Sequence, residues 1–61
     1  MYTFELYYTN INTGRDIIKI LKVHSQLYKT EKEVLIHAIK RAYDDMKENE
    51  LFYRLDYKGC Y

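Results

Sequence analysis

A chain of 61 residues, 48% hydrophobic and with a formal net charge of +1, amounts to one small domain at most. A fold of about 60 residues buries only roughly 60% of its unfolded surface and is marginal unless stapled or self-associated. The lone cysteine, Cys60, excludes an intrachain disulfide; with His24 and His37 it falls short of a structural zinc set, and the near-neutral charge neither demands nor forbids a nucleic-acid partner.

No segment approaches the ~18 consecutive apolar residues of a membrane span, and no basic-then-apolar leader opens the chain. The expectation is therefore a cytoplasmic protein without membrane contact, metal or cofactor. Eight tyrosines and two phenylalanines supply the apolar surface for self-association, the remaining route to stability.

Residues 2–12, YTFELYYTNIN, are rich in aromatic and β-branched side chains and predict a β-strand. Two registers compete. In one, Tyr2, Phe4, Leu6 and Tyr8 form the apolar face against Thr3, Glu5, Tyr7 and Thr9. In the other, Tyr7, Thr9 and Ile11 turn inward while Tyr8, Asn10 and Asn12 face out. Asn12-Thr13-Gly14-Arg15-Asp16 has turn chemistry, with Thr13 and Asp16 as a weak capping box.

A first helix is predicted from about Gly14 to Leu27. Ile17, Ile20, Leu21, His24, Leu27 and Tyr28 follow the spacing of a buried stripe, and Arg15, Lys19, Lys22, Gln26 and Lys29 form a basic opposite face. After a short turn, Thr30 with Glu33 three residues later has the form of a capping box, so a second helix should start at about Glu31. It is expected to run to about Asn49 and to fray where Asp44, Asp45, Glu48 and Glu50 oppose the helix dipole. Val34, Leu35, Ile36, Ala38, Ile39, Ala42, Tyr43 and Met46 give it an apolar surface wider than one stripe, which calls for cover on more than one side. Residues 51–61, LFYRLDYKGCY, alternate again and predict a short strand or an extended aromatic arm beyond a domain of residues 1–50.

Strand, basic helix, tight turn and capped second helix resemble the ribbon-helix-helix family of small dimeric repressors. The carrying residues are Ile17-Ile18-Lys19-Ile20 and Lys32-Glu33-Val34-Leu35-Ile36-His37-Ala38-Ile39, and the likeness covers roughly residues 7–48. The resemblance implies a mainly α, β-α-α chain with one short strand, intertwined as a homodimer whose two strands form an antiparallel ribbon. It implies a sequence-specific transcriptional repressor with that ribbon in the major groove of double-stranded DNA. Carried over by position, Tyr8, Asn10 and Asn12 read bases, or Tyr7 and Thr9 in the other register. Lys29, Thr30, Glu31 and Lys32 hold phosphate at the second helix's amino end, with Arg15 adding charge. Two features depart from the pattern: the strand has no Arg or Lys, and the aromatic tail lies outside the motif.

Simpler assignments stand beside these. Asn10 and Asn12 suit a turn, the basic stripe suits a solvated face, and His24 and His37 suit satisfied helix positions better than catalysis. Cys60 has only Lys58 as a nearby cation in sequence, and no phosphate loop or nucleophile motif occurs, so no enzyme is expected. A helix-turn-helix reader is disfavoured by Glu31 and Glu33. The competing expectation is a protein-interaction module in which residues 2–9 and 51–57 pair within one chain, as in a small inhibitor, adaptor or antitoxin-like protein. Its partner would be gripped by a Tyr-rich surface and by Leu51–Tyr61.

Overall fold

The computed structural model describes residues 1–24, 26 and 30–60. The first strand, β1 (Tyr2–Asn10), takes the register that points Phe4, Leu6 and Tyr8 into the core. Ile11 is exposed beyond its end, so the register that turns Ile11 inward is not adopted. The chain reverses at residues 11–15. The Asn10 side-chain oxygen accepts from the backbone N–H groups of Asn12 (2.9 Å) and Thr13 (3.2 Å), and Gly14 adopts φ 73°. That short polar side chain and that glycine make a hairpin loop of the segment.

The hairpin's second arm, β2 (Asp16–Val23), lies where a first helix was expected. It pairs antiparallel with β1 from Tyr2↔Val23 to Thr9↔Asp16. Its residues, DIIKILKV, satisfy both periods: the run is apolar at helical spacing and equally apolar at every second position. The β-branched isoleucines and the adjoining turn tip the balance to strand. The basic stripe is consequently split, with Lys19 on one face of the sheet and Lys22 on the other.

The capped helix forms as expected at its start. Helix α1 (Glu31–Asp44) has Thr30 as N-cap, its hydroxyl accepting from the Glu33 N–H at 3.2 Å. It ends near Asp44 rather than Asn49: the Asp45 N–H still bonds the Arg41 carbonyl four residues back, and the Met46 N–H then turns to the Tyr43 carbonyl three residues back. Acidic side chains at this end work against the helix dipole. The helix buries Val34, Ala38 and Ala42, and the two alanines let it approach the sheet closely.

The chain then returns as β3 (Glu50–Cys60), antiparallel to β1 on its other side, giving the sheet order β2-β1-β3. The register shifts twice, between Thr3 and Phe4 and between Tyr7 and Tyr8 of β1. These bulges break the simple alternation expected of residues 51–58: Phe52, Leu55 and Tyr57 lie on the helix side, whereas Tyr53, Arg54, Asp56 and Lys58 lie on the other. The core is Phe4, Leu6, Tyr8, Val23, Val34, Ala38 and Ala42, flanked by Tyr2, Ile17, Leu21, Met46, Phe52 and Leu55.

The expected β-α-α, mainly α architecture is thus corrected. Among the described residues the chain is a β-β-α-β fold, a three-stranded antiparallel sheet with one helix. The physical reason lies in β1. It is hydrogen-bonded on both edges within its own chain, to β2 and to β3, and has no free edge to offer a twin strand. An intermolecular ribbon built on β1 is therefore not available to this fold. Among the described residues no helix is long and apolar enough to cross a membrane.

Candidate functional site

The residues expected to contact DNA are scattered by this fold. Tyr8 is 0% exposed; its hydroxyl donates to the Ala42 carbonyl at 2.6 Å, and the Lys19 ammonium sits 4.4 Å from its ring centroid. Burial raises its pKa above that of an ordinary tyrosine, with the carboxylates of Asp45 and Glu50 adding to the shift. Asn10 ends β1 and Asn12 lies in the hairpin turn, Asn10 spending its side-chain oxygen on the loop backbone. Tyr7 and Thr9 lie on the sheet face turned away from the helix. Arg15 is exposed at the loop's end, and Thr30, Glu31 and Lys32 are exposed at the start of α1. Lys29 lies outside the described residues.

A different constellation comes together on the helix-free face. Helix α1 covers one side of the sheet only, and in the described residues nothing covers the other. Along β2 that open face presents Ile18 and Ile20, 54% and 58% exposed. Along β1 it presents Thr3, Glu5, Tyr7 and Thr9. From β3 come Leu51 and Tyr53, 55% and 49% exposed, with Arg54, Asp56 and Lys58. The Tyr7 and Tyr53 rings lie 6.3 Å apart, and the Arg54 guanidinium stands 5.2 Å from the Tyr7 centroid. A solvated antiparallel sheet normally alternates apolar-in with polar-out; here the outward set contains two isoleucines, a leucine and two tyrosines.

The charges on this face are largely matched. Glu5 accepts from the Tyr7 hydroxyl at 3.0 Å and pairs with Lys58 at 3.0 Å, while Arg54 pairs with Asp56 at 2.9 Å. The Lys58 hydrogen bond, then that of Tyr7, holds the Glu5 carboxyl below its ordinary pKa, and the same contacts push Lys58 and Tyr7 up. Tyr53 is also raised, by partial burial first and then by the charge of Asp16. The side chains are held in place by contacts with each other, which gives the surface a defined shape before anything binds.

A second feature lies on the helix side. A cavity of about 130 Å³ is lined by Tyr2, Phe4, Glu31, Val34, Leu35 and Tyr57. It is smaller than the ~300–1,000 Å³ of ordinary small-molecule sites. Next to it, Leu35, Ile39 and Tyr43 form an exposed row along α1. No group of metal-ligating side chains converges among the described residues.

Sequence reasoning passed over Ile18 and Ile20 as surface elements, whereas Tyr53 and Arg54 fall within the Leu51–Tyr61 segment expected to grip a partner. The available signal was that DIIKILKV is apolar in both strand phases, so one apolar set had to face away from the core. For Tyr53 and Arg54 the placement depends on a bulge, which leaves no mark in composition. In comparisons with family models, curated proteins and solved structures, none matches this chain.

Proposed function

We propose that this chain is a protein-interaction module that docks a partner protein on the open face of its sheet. The observation that carries the reading is the half-exposed set Ile18, Ile20, Leu51 and Tyr53 around Tyr7, with no helix over it among the described residues. Interface cores favour aromatic and aliphatic side chains with an arginine among them and matched charges at the rim, which is this face's composition.

Charge weighs against nucleic acid as the ligand. A single-strand platform combines stacking aromatics with a cationic groove. Tyr7 and Tyr53 could stack, but Arg54 and Lys58 are each bound to a carboxylate and Asp16 lies close to Tyr53. Binding of double-stranded DNA by a repressor, the expectation from the resemblance, has the exposed cations Arg15, Lys22 and Lys32 as its remaining support. We rank it second for that reason.

The test is affinity capture from the native host's extract with wild-type chain and with the Ile18→Glu/Ile20→Glu double variant. Both positions are exposed, so the variant should keep its circular dichroism and melting behaviour. A partner retained by wild type and lost by the variant supports the reading. Equal capture by both, or salt-sensitive binding of duplex DNA by wild type with no protein captured, would sink it.

A further inference from the structure

We infer that the cavity between the amino end of α1 and the sheet is an aromatic cage that takes a quaternary ammonium group. It lies on the helix side, away from the open face, and the inference does not depend on the reading of that face.

The cavity of about 130 Å³ has two kinds of wall. The sheet supplies three aromatic rings. Tyr2 and Phe4 alternate onto the helix side of β1, and Tyr57 stands beside Phe4 as its partner in register on β3. The Tyr57 ring lies 5.4 Å from Phe4 and 6.2 Å from Tyr2, centroid to centroid, at interplanar angles of 42° and 40°. Neither pair is stacked face to face, so the rings do not fully cover one another's π-faces.

Helix α1 supplies Glu31, Val34 and Leu35. Its buried residues Val34, Ala38 and Ala42 recur along one helix face, and Glu31, three residues ahead of Val34, continues that face. The face that packs on the sheet therefore ends in a carboxylate, where an apolar side chain would have completed the core. An acid in a first turn suits the helix dipole by itself. The dipole does not call for three aromatic rings lining the same cavity. Among the described residues Glu31 has no ion-pair partner.

Size and chemistry select the ligand. Phe4 and Val34 are buried and form the floor, while Glu31, Leu35 and Tyr57 are exposed and form the rim. An apolar cavity of about 150 Å³ holds benzene, and a trimethylammonium head is of similar bulk. The negative faces of aromatic rings attract a cation, most strongly where it is desolvated. An unmethylated ammonium brings N–H donors that need acceptors once out of water. A divalent metal needs several converging ligands, and among the described residues no such set exists. A quaternary ammonium has no N–H to satisfy and needs only ring faces and a negative charge, both of which line this cavity. The Glu31 carboxylate also offsets the positive end of the helix dipole, which would oppose a cation there. The same head group is carried by choline-type amines and by trimethylated lysine side chains.

Titration of the full chain, followed by NMR shifts, tests this. The probes are choline chloride and a trimethyl-lysine peptide. The controls are the neutral isostere of choline, with carbon in place of nitrogen, and the same peptide with unmodified lysine. At least one probe should shift Tyr2, Phe4, Val34, Leu35 and Tyr57 saturably and bind about tenfold more tightly than its control. The tighter probe names the source of the group. Glu31→Gln removes the charge, and Tyr57→Leu removes one ring while keeping apolar volume; each should weaken binding about fivefold. Circular dichroism verifies both variants, and Glu31 is exposed, so its variant decides the matter should Tyr57→Leu fail to fold. A neutral isostere that binds as tightly as choline, with the two peptides also equal, would mark an ordinary apolar pocket and overturn the inference. So would the absence of saturable shifts at these residues up to ~0.1 M of both probes, or an affinity indifferent to the substitutions.

Discussion

At the scale of single residues, Glu50 bears on how acid acts on this protein. Its carboxylate accepts from the Lys19 ammonium at 2.7 Å and from the Lys47 N–H at 3.1 Å. The Lys19 hydrogen bond first, then that of Lys47, lowers its pKa below the ordinary glutamate value. The unfolded chain therefore binds a proton at Glu50 more readily than the folded one. The stabilisation is complete above the unfolded pKa, near 4.3 for a free glutamate, and is lost as pH falls through the folded value. Glu5, lowered by Lys58 and Tyr7, acts in the same direction. Melting temperature should accordingly fall on acidification below about pH 4.3, and Glu50→Gln should flatten that limb while lowering stability at neutral pH. Thermal melts from pH 7 to pH 2 check this; an unchanged acid slope in Glu50→Gln would show that the pair does not couple to folding.

The elements are set by their ends as much as by their interiors. Thr30 starts α1 by holding the Glu33 N–H, and a cap of this type contributes ~1 kcal/mol. The β1–β2 hairpin depends on Asn10 and on Gly14 at φ 73°, a backbone region that costs a residue with a Cβ roughly 1–2 kcal/mol. A methyl group at Gly14 would meet nothing within 4 Å, so only the backbone term remains. Gly14→Ala should destabilise the fold by about 1 kcal/mol and Gly14→Asn by less, since asparagine tolerates the left-handed region. Chemical denaturation of both variants measures the difference; equal stability for all three would mean that the loop relaxes to another turn.

On the scale of the whole molecule, β1 is the strand that needs two neighbours. Its buried side chains Phe4, Leu6 and Tyr8 are covered from β3 by Tyr57, Leu55 and Phe52, their partners in register. Aromatic contacts run along the same seam, Phe4 to Tyr57 at 5.4 Å and Tyr8 to Phe52 at 5.5 Å. Strand β3, Glu50–Cys60, is thus wall rather than appendage. A fragment of residues 1–50 should show no cooperative melt and collapsed amide dispersion, because a hairpin and one helix of this size leave the core open on one side. A folded fragment would contradict this.

Local chemistry alone was enough for the Thr30 cap, the start of α1, the Asn-Thr-Gly turn, the outward and inward sets of β1 as one of two registers, and an extended final segment. Each depends on residues within a few positions of one another, where capping, turn and alternation rules act. The identity of Asp16–Val23 as strand rather than helix was not settled at that range, because its apolar pattern fits both periods. It was decided by β1, a strand with hydrogen-bonding edges to satisfy, whose neighbours arrive from residues 16–23 and from residues 50–60. Which faces remain bare followed from that pairing and from two bulges. One short helix can cover only one side of a three-stranded sheet, so the isoleucines of β2 and the ring of Tyr53 were left facing solvent.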